Sequence, residues 1–146
     1  ETNITLTAVF AFTFDVVLDD ICYPVSILSN STVSNFNFNK TEMQISFDVT
    51  GGSDTTGYCN VTIPNSLLKG NPWKIKINST TTTSSDEKTN NTHTFLYFTY
   101  THESLLHVTI EGTWVVPEFP LTEILPLFMV LSLIAVVFIK HKKKKQ

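Results

Sequence analysis

The last thirty residues constrain this chain more than any other stretch. Val116-Pro117-Glu118-Phe119-Pro120 leads into an apolar run, Leu121 to Ile139, which ends in Lys140-His141-Lys142-Lys143-Lys144-Lys145-Gln146. As a helix, this run of about 19 residues would measure roughly 28 Å. That matches the ~30 Å hydrocarbon core of a bilayer. An all-apolar helix at the end of so short a chain has no core large enough to hide in. Residues 121–139 are therefore expected to form a single transmembrane helix. Glu123 falls near its outer end, within reach of headgroups and water. Pro126 falls in the first turns, where a missing N–H matters least.

The lysines set the direction. Five of the ten lie in the 140–146 tail, which has no acid, and such clusters stay on the cytoplasmic side. The expected organisation is an extracellular domain over 1–116, a Pro-Glu-Phe-Pro linker over 117–120, the helix over 121–139 and a basic cytoplasmic tail over 140–146. Anionic lipid is a compatible partner for that tail. Residues 1–120 carry five lysines against twelve acids, a net of −7. An acidic outer part argues against nucleic acid as a partner. The chain has no arginine, so the usual bidentate phosphate clamp is missing. The first residues show neither a basic n-region nor a plain apolar h-region, yet this topology requires export. The chain is expected to be processed, or to be a piece whose start lies upstream.

Most of the rest alternates with period two, the signature of strands. Apolar residues occupy every even position from Ile4 to Leu18, with Asn3, Thr5, Thr7, Thr13, Asp15 and Asp19 among the odd ones. A stretch this long should bend or bulge. Shorter alternating stretches follow at Tyr23–Ile27, Val33–Phe38, Met43–Val49, Tyr58–Ile63, Trp73–Ile77, Phe95–Tyr100 and Leu106–Ile110. Turn signals separate them, among them Ser29-Asn30-Ser31-Thr32 and the Gly51–Gly57 segment. Asn65–Gly70 reads as one helical turn. Ser79–Thr92, without an aliphatic residue, reads as a loop or long hairpin tip. About eight strands at this spacing give an all-β fold, an immunoglobulin-like antiparallel β-sandwich, with a jelly roll or small barrel as the alternative.

Six Asn-X-Ser/Thr sequons support an exported location: Asn3, Asn30, Asn39, Asn60, Asn78 and Asn90. The composition alone would give roughly two or three. Cys22 and Cys59, both in or beside expected strands, are candidates for an inter-sheet disulfide. Two buried free thiols are the open alternative.

Residue patterns that carry chemistry are sparse. His102-Glu103-Ser104-Leu105-Leu106-His107 spaces its histidines by five, where a zinc protease helix needs four. It reads instead as a hairpin with polar tips. His93 offers only a chance metal site beside those histidines. Asp15, Asp19, Asp20 and Asp54 lack the twelve-position calcium loop. No nucleophile elbow or phosphate loop occurs. The expectation is no catalytic residues, no metal and no cofactor. Tyr97, Phe98, Tyr100 and Trp114 are candidates for a sugar-stacking platform, and Trp114 and Phe119 for the membrane interface.

Pro117, Glu118 and Phe119, the apolar run and the lysine tail, in that order, resemble the archaeal PEF-CTERM sorting signal. The resemblance covers about the last thirty residues. It implies export, retention by the helix and recognition of Pro117, Glu118 and Phe119 by an archaeosortase-type transpeptidase. Such an enzyme would cut near the motif and exchange the helix for a lipid-type anchor. Stretches such as Tyr58-Cys59-Asn60-Val61-Thr62-Ile63-Pro64 also look like uncharacterised β-rich domains that precede such anchors. The combined expectation is a non-enzymatic surface protein, single-pass, with a structural, adhesive or stalk role toward other surface proteins or glycans. The alternatives are a glycan- or substrate-binding module, or the membrane-proximal part of a larger exported enzyme.

Overall fold

The computed structural model describes residues 8–82, 85–115, 126, 128–132 and 134. The chain divides into two compact units, Glu1–Val116 and Pro117–Gln146. The described part of the first unit is built of antiparallel strands. These are β1 (Phe10–Leu18), β2 (Ile21–Ser29), β3 (Thr32–Asn39), β4 (Gln44–Thr50), β5 (Thr56–Pro64), β6 (Leu68–Lys69), β7 (Lys74–Ile77), β8 (Thr80–Thr81), β9 (Ser85–Thr89), β10 (His93–Thr101), β11 (Leu106–Glu111) and β12 (Trp114–Val115). The first sheet has the order β1-β2-β5-β10-β9 and the second β3-β4-β11-β7-β8, while β6 and β12 form a small separate pair.

The alternation in the sequence becomes the core. Val25 and Ile27 on β2, Cys59, Val61 and Ile63 on β5, and Leu96 and Phe98 on β10 join Ile45, Phe47 and Val49 on β4 and Val108 and Ile110 on β11 in one hydrophobic cluster. Phe47 and Phe98 are its largest fully buried side chains. Where β1 and β3 approach, Phe14 stacks on Phe36 with ring centroids 4.3 Å apart and planes 1° from parallel. Phe36 reaches that position beside a register shift between Ser34 and Asn37, where Asn35 takes a φ of 52°.

Several local expectations change. β2 runs through Pro24, which pairs with Asp15 of β1, whereas β2 meets β5 only over Ser26–Ser29. The proline therefore sits where one flank of the strand has no ladder to break. Asn65–Gly70 is a turn followed by β6, not a helical turn, because Leu68 and Lys69 pair with Val115 and Trp114. The Ser79–Thr92 segment contains two edge strands, β8 pairing with β7 and β9 with β10. The His102–His107 segment is not a hairpin tip: it carries the chain from β10 in one sheet to β11 in the other.

In the second unit the described residues are helical, at 126, 128–132 and 134. Phe128, Met129, Val130, Leu131 and Ile134 are exposed, and Ser132 Oγ donates to the Met129 carbonyl at 2.8 Å. Among the described residues no helix is long and apolar enough to cross a membrane. Most of the expected span 121–139, the 117–120 motif and the 140–146 tail lie outside the described residues.

Candidate functional site

Strand register assembles a cleft on the outer face of the first sheet. Asn60 on β5 lies opposite Tyr97 on β10, and Tyr97 lies opposite Asp86 on β9. One rung along, Thr62, Phe95 and Lys88 line up across the same three strands. Asn60, Asp86, Lys88, Phe95 and Tyr97 line a cleft of about 290 Å³. That is the small end of ligand-site volumes (~300–1,000 Å³), suited to one or two rings. Tyr58, two residues before Asn60 and on the same face, packs against Tyr97 with centroids 6.0 Å apart. Tyr97 is 41% exposed. The site thus pairs an aromatic floor with one carboxylate and one ammonium.

One atom in this cleft is unusual. Asn60 Oδ1 is buried and makes no hydrogen bond. An orphaned buried carbonyl costs about 1–3 kcal/mol. Asn60 as a whole is only half-buried and lines the cleft.

The expected sugar platform of Tyr97, Phe98, Tyr100 and Trp114 does not form. Alternation sends Phe98 and Tyr100 into the core, at 0% and 8% exposure. Trp114 belongs to β12, with Lys69 Nζ 5.0 Å from its ring centre. Residues 95 and 97 share a face, and the two-residue period could have identified Phe95 as the companion of Tyr97. Asp86 and Lys88 could not be found that way, since β9 carries no apolar residue.

A second polar group lies inside the fold, where three connections pass between the sheets. Ser31 comes from the β2–β3 connection, Thr55 from the β4–β5 connection and His102 from the β10–β11 connection. Thr55 Oγ1 donates to the Gly52 carbonyl at 2.5 Å. It must therefore accept from His102 Nδ1, 2.8 Å away. Nε2 is left as an acceptor and takes the Ser31 hydroxyl proton at 2.6 Å. Ser31 Oγ in turn accepts from Tyr100 Oη at 2.7 Å. Burial, chiefly, raises the Tyr100 phenol above its ordinary pKa, which keeps it a donor. A serine, a histidine and an orienting group within hydrogen-bond reach is the arrangement of an activated nucleophile. Here Ser31 and His102 are 1% and 3% exposed and the orienting group is a neutral hydroxyl, so the set works as an internal polar staple.

His107 lies outside, on the second sheet. Its Nδ1 is 2.7 Å from Asp48 Oδ1, and Asn35 Nδ2 donates to Asp48 Oδ2 at 2.8 Å. Those hydrogen bonds, first from Asn35 and then from His107, hold the Asp48 carboxyl below its ordinary pKa. Lys76 and Glu111 form an ion pair on the same sheet. No group of three or more His, Cys, Asp or Glu placed to hold a metal occurs among the described residues.

The cysteines are not bridged; both are free, Cys22 exposed and Cys59 buried. The expected inter-sheet disulfide fails because β2 and β5 are neighbours in one sheet. Ser29, not Cys22, lies opposite Cys59. Seven residues of β2 separate Cys22 from that rung, or roughly 23 Å of strand, against the ~7 Å limit for a bridge. Burial raises the Cys59 thiol's pKa.

The sequons differ in setting. Asn3 and the sorting-motif residues Pro117, Glu118 and Phe119 lie outside the described residues. Asn30 is half-buried and ties the β2–β3 connection to β5, donating to the Thr56 carbonyl and accepting from Tyr58 N, both at 2.9 Å. Asn39 is half-buried and accepts from Glu42 N at 3.1 Å. Asn78 and Asn90 are exposed; Asn78 accepts from His107 N at 2.9 Å and Asn90 from His93 N at 2.7 Å. No protein-family model, no curated protein and no solved structure matches this chain.

Proposed function

We propose that this chain is a membrane-anchored, N-glycosylated cell-surface protein of the archaeal PEF-CTERM kind, non-catalytic, with a structural, adhesive or stalk role. The observation that carries this reading is the boundary. The β unit ends at Val116, and the next unit opens on Pro117, the first residue of the sorting-like segment. The likeness to an immunoglobulin sandwich fits such a role. The order β2-β5-β10-β9 follows the A-B-E-D sheet, and β11-β7-β8 follows F-C-C′. The departure is β4, which takes the G position beside β11 although it precedes β5 in the chain.

The decisive experiment is sided labelling of whole cells producing the chain. A membrane-impermeant amine reagent is expected to modify the exposed Lys69 and Lys74. It should reach Lys140 and Lys142–Lys145 only after lysis. Modification of the tail lysines in unbroken cells overturns the topology. The mass of the membrane-extracted chain then reports whether a processing enzyme has cut near Pro117.

The cleft favours a second reading, a surface module that binds a free glycan on Tyr97, Phe95 and Tyr58. Titration of unglycosylated protein with small saccharides tests it. Shifts confined to residues 58–62, 86–88 and 95–97 support it, and their absence at millimolar sugar removes it.

A further inference from the structure

We infer that Asn60 carries an N-linked sugar and that the cleft is the seat of that sugar's first rings. This rests on the exported location proposed above. Four observations converge on one side chain. Asn60-Val61-Thr62 is a sequon. Because strands alternate, Asn60 and Thr62 share the outer face of β5. Asn60 lines the cleft, while its side-chain carbonyl oxygen is buried without a partner. Tyr97 sits directly opposite on β10, and Tyr58 packs against it, so any ring attached to Asn60 emerges over aromatic surface.

The fold has no use for asparagine here. Its orphaned carbonyl weakens the sheet, and a threonine or valine would suit a central strand better. The group that justifies the residue is the nitrogen. Sugar rings present C–H faces that pack on aromatic rings. Asp86 and Lys88 at the rim offer an acceptor and a donor to ring hydroxyls. A volume of about 290 Å³ suits the first one or two rings of a chain that continues into solvent.

The covalent step is ordinary transfer from a lipid-linked oligosaccharide. Asn60 Nδ2 forms a bond to the anomeric carbon and gives up one proton. The bond from that carbon to the lipid phosphate oxygen breaks, and the lipid phosphate leaves. Because β5 is paired on both sides, by β2 and β10, transfer has to precede closure of the sheet. The exposed Asn78 and Asn90 stay accessible afterwards.

The test is glycopeptide mass spectrometry on the full chain extracted from a glycosylating host's membranes, followed by timed glycosidase digestion of the folded protein. The peptide containing Asn60 is expected to be modified. Its sugar should be released about three- to tenfold more slowly than that on Asn90, the gain expected of one good aromatic contact. Tyr97→Ala should abolish the difference while leaving Asn60 occupied. An unmodified Asn60 beside occupied Asn78 or Asn90 overturns the inference and leaves the surface location intact. Equal release from Asn60 and Asn90, or a delay that Tyr97→Ala does not shorten, overturns the seating. If no sequon is occupied, the inference falls, and the sided labelling then decides separately whether the location falls with it.

Discussion

Replacing Ser31 by alanine should do far more damage than its size suggests. The hydroxyl is the middle link of a one-way chain: Tyr100 donates to Ser31, Ser31 to His102, His102 to Thr55 and Thr55 to the Gly52 carbonyl. Without it, His102 Nε2 has no donor inside the fold. Tyr100 Oη loses its 2.7 Å partner and keeps weaker contacts, with the Cys59 thiol at 3.5 Å and with Ser29. Two buried groups deprived of their close partner, at about 1–3 kcal/mol each, give roughly 2–6 kcal/mol. That is a large part of the ~5–15 kcal/mol that holds an ordinary domain together. At about 4 °C per kcal/mol for a unit of this size, the melting midpoint should fall by roughly 8–24 °C. Urea unfolding of the full chain in detergent, followed by tryptophan fluorescence, measures the loss. His102→Leu in the Ser31→Ala background removes one orphan along with its partner, so the double variant should be more stable than the sum of the two single losses by about 1–3 kcal/mol. A Ser31→Ala loss below about 0.5 kcal/mol, the range of an ordinary surface change, or strict additivity of the pair, would falsify the staple.

The other predictions probe neighbouring features. Gly57→Ala places a Cβ 2.2 Å from Tyr100 Cε2 and 2.8 Å from His102 Nε2; both rings are tied into the staple, so a loss of about 3 kcal/mol or more is expected in the same unfolding assay. The folded Asp48 carboxyl titrates below its ordinary value, so its stabilising contribution is present above about pH 4 and disappears as pH falls through the folded value. Asp48→Asn should lower stability at pH 7 and flatten the acid side of the stability–pH curve, read from urea midpoints between pH 2 and 7. A maleimide should label one thiol per native chain, Cys22, and a second, Cys59, only in denaturant; two equivalents on the native protein would contradict the burial of β5.

The strands that were legible in the sequence are those whose apolar residues alternate with polar ones. Ile45, Phe47 and Val49 alternate with Gln44, Ser46 and Asp48, and β4 forms where that pattern runs. β9 was not legible because Ser85–Thr89 is exposed throughout; its strand character comes from backbone pairing with β10, which no residue of its own announces. β6 and β12 are two residues each, too short for any period. The cleft was half visible. Phe95 and Tyr97 stand at i and i+2, but the third wall depends on which strand lies beyond β10, a fact of topology. The staple was invisible for the same reason: Ser31, Thr55 and His102 are 24 and 47 residues apart and meet only because three connections cross between the sheets at one end.

That meeting point also explains how the fold manages without a disulfide. Two sheets that share a core can still slide or splay at their ends, where the chain leaves one ladder for the other and backbone groups lose their partners. Two-sheet β domains in oxidising surroundings often bridge the sheets covalently through the core. In this chain Cys59 is buried on β5, but β11 presents Leu106, Val108 and Ile110 to the core. No thiol stands where a partner would be needed. The tie is made at the end instead, by one side chain from each of three crossovers and a tyrosine from the end of β10. At the β1–β3 margin the parallel stack of Phe14 on Phe36 does the corresponding work with apolar surface. Neither device involves sulfur redox chemistry. The unit should therefore hold its fold equally well in oxidising and reducing surroundings, and a reductant should leave its urea midpoint where it was.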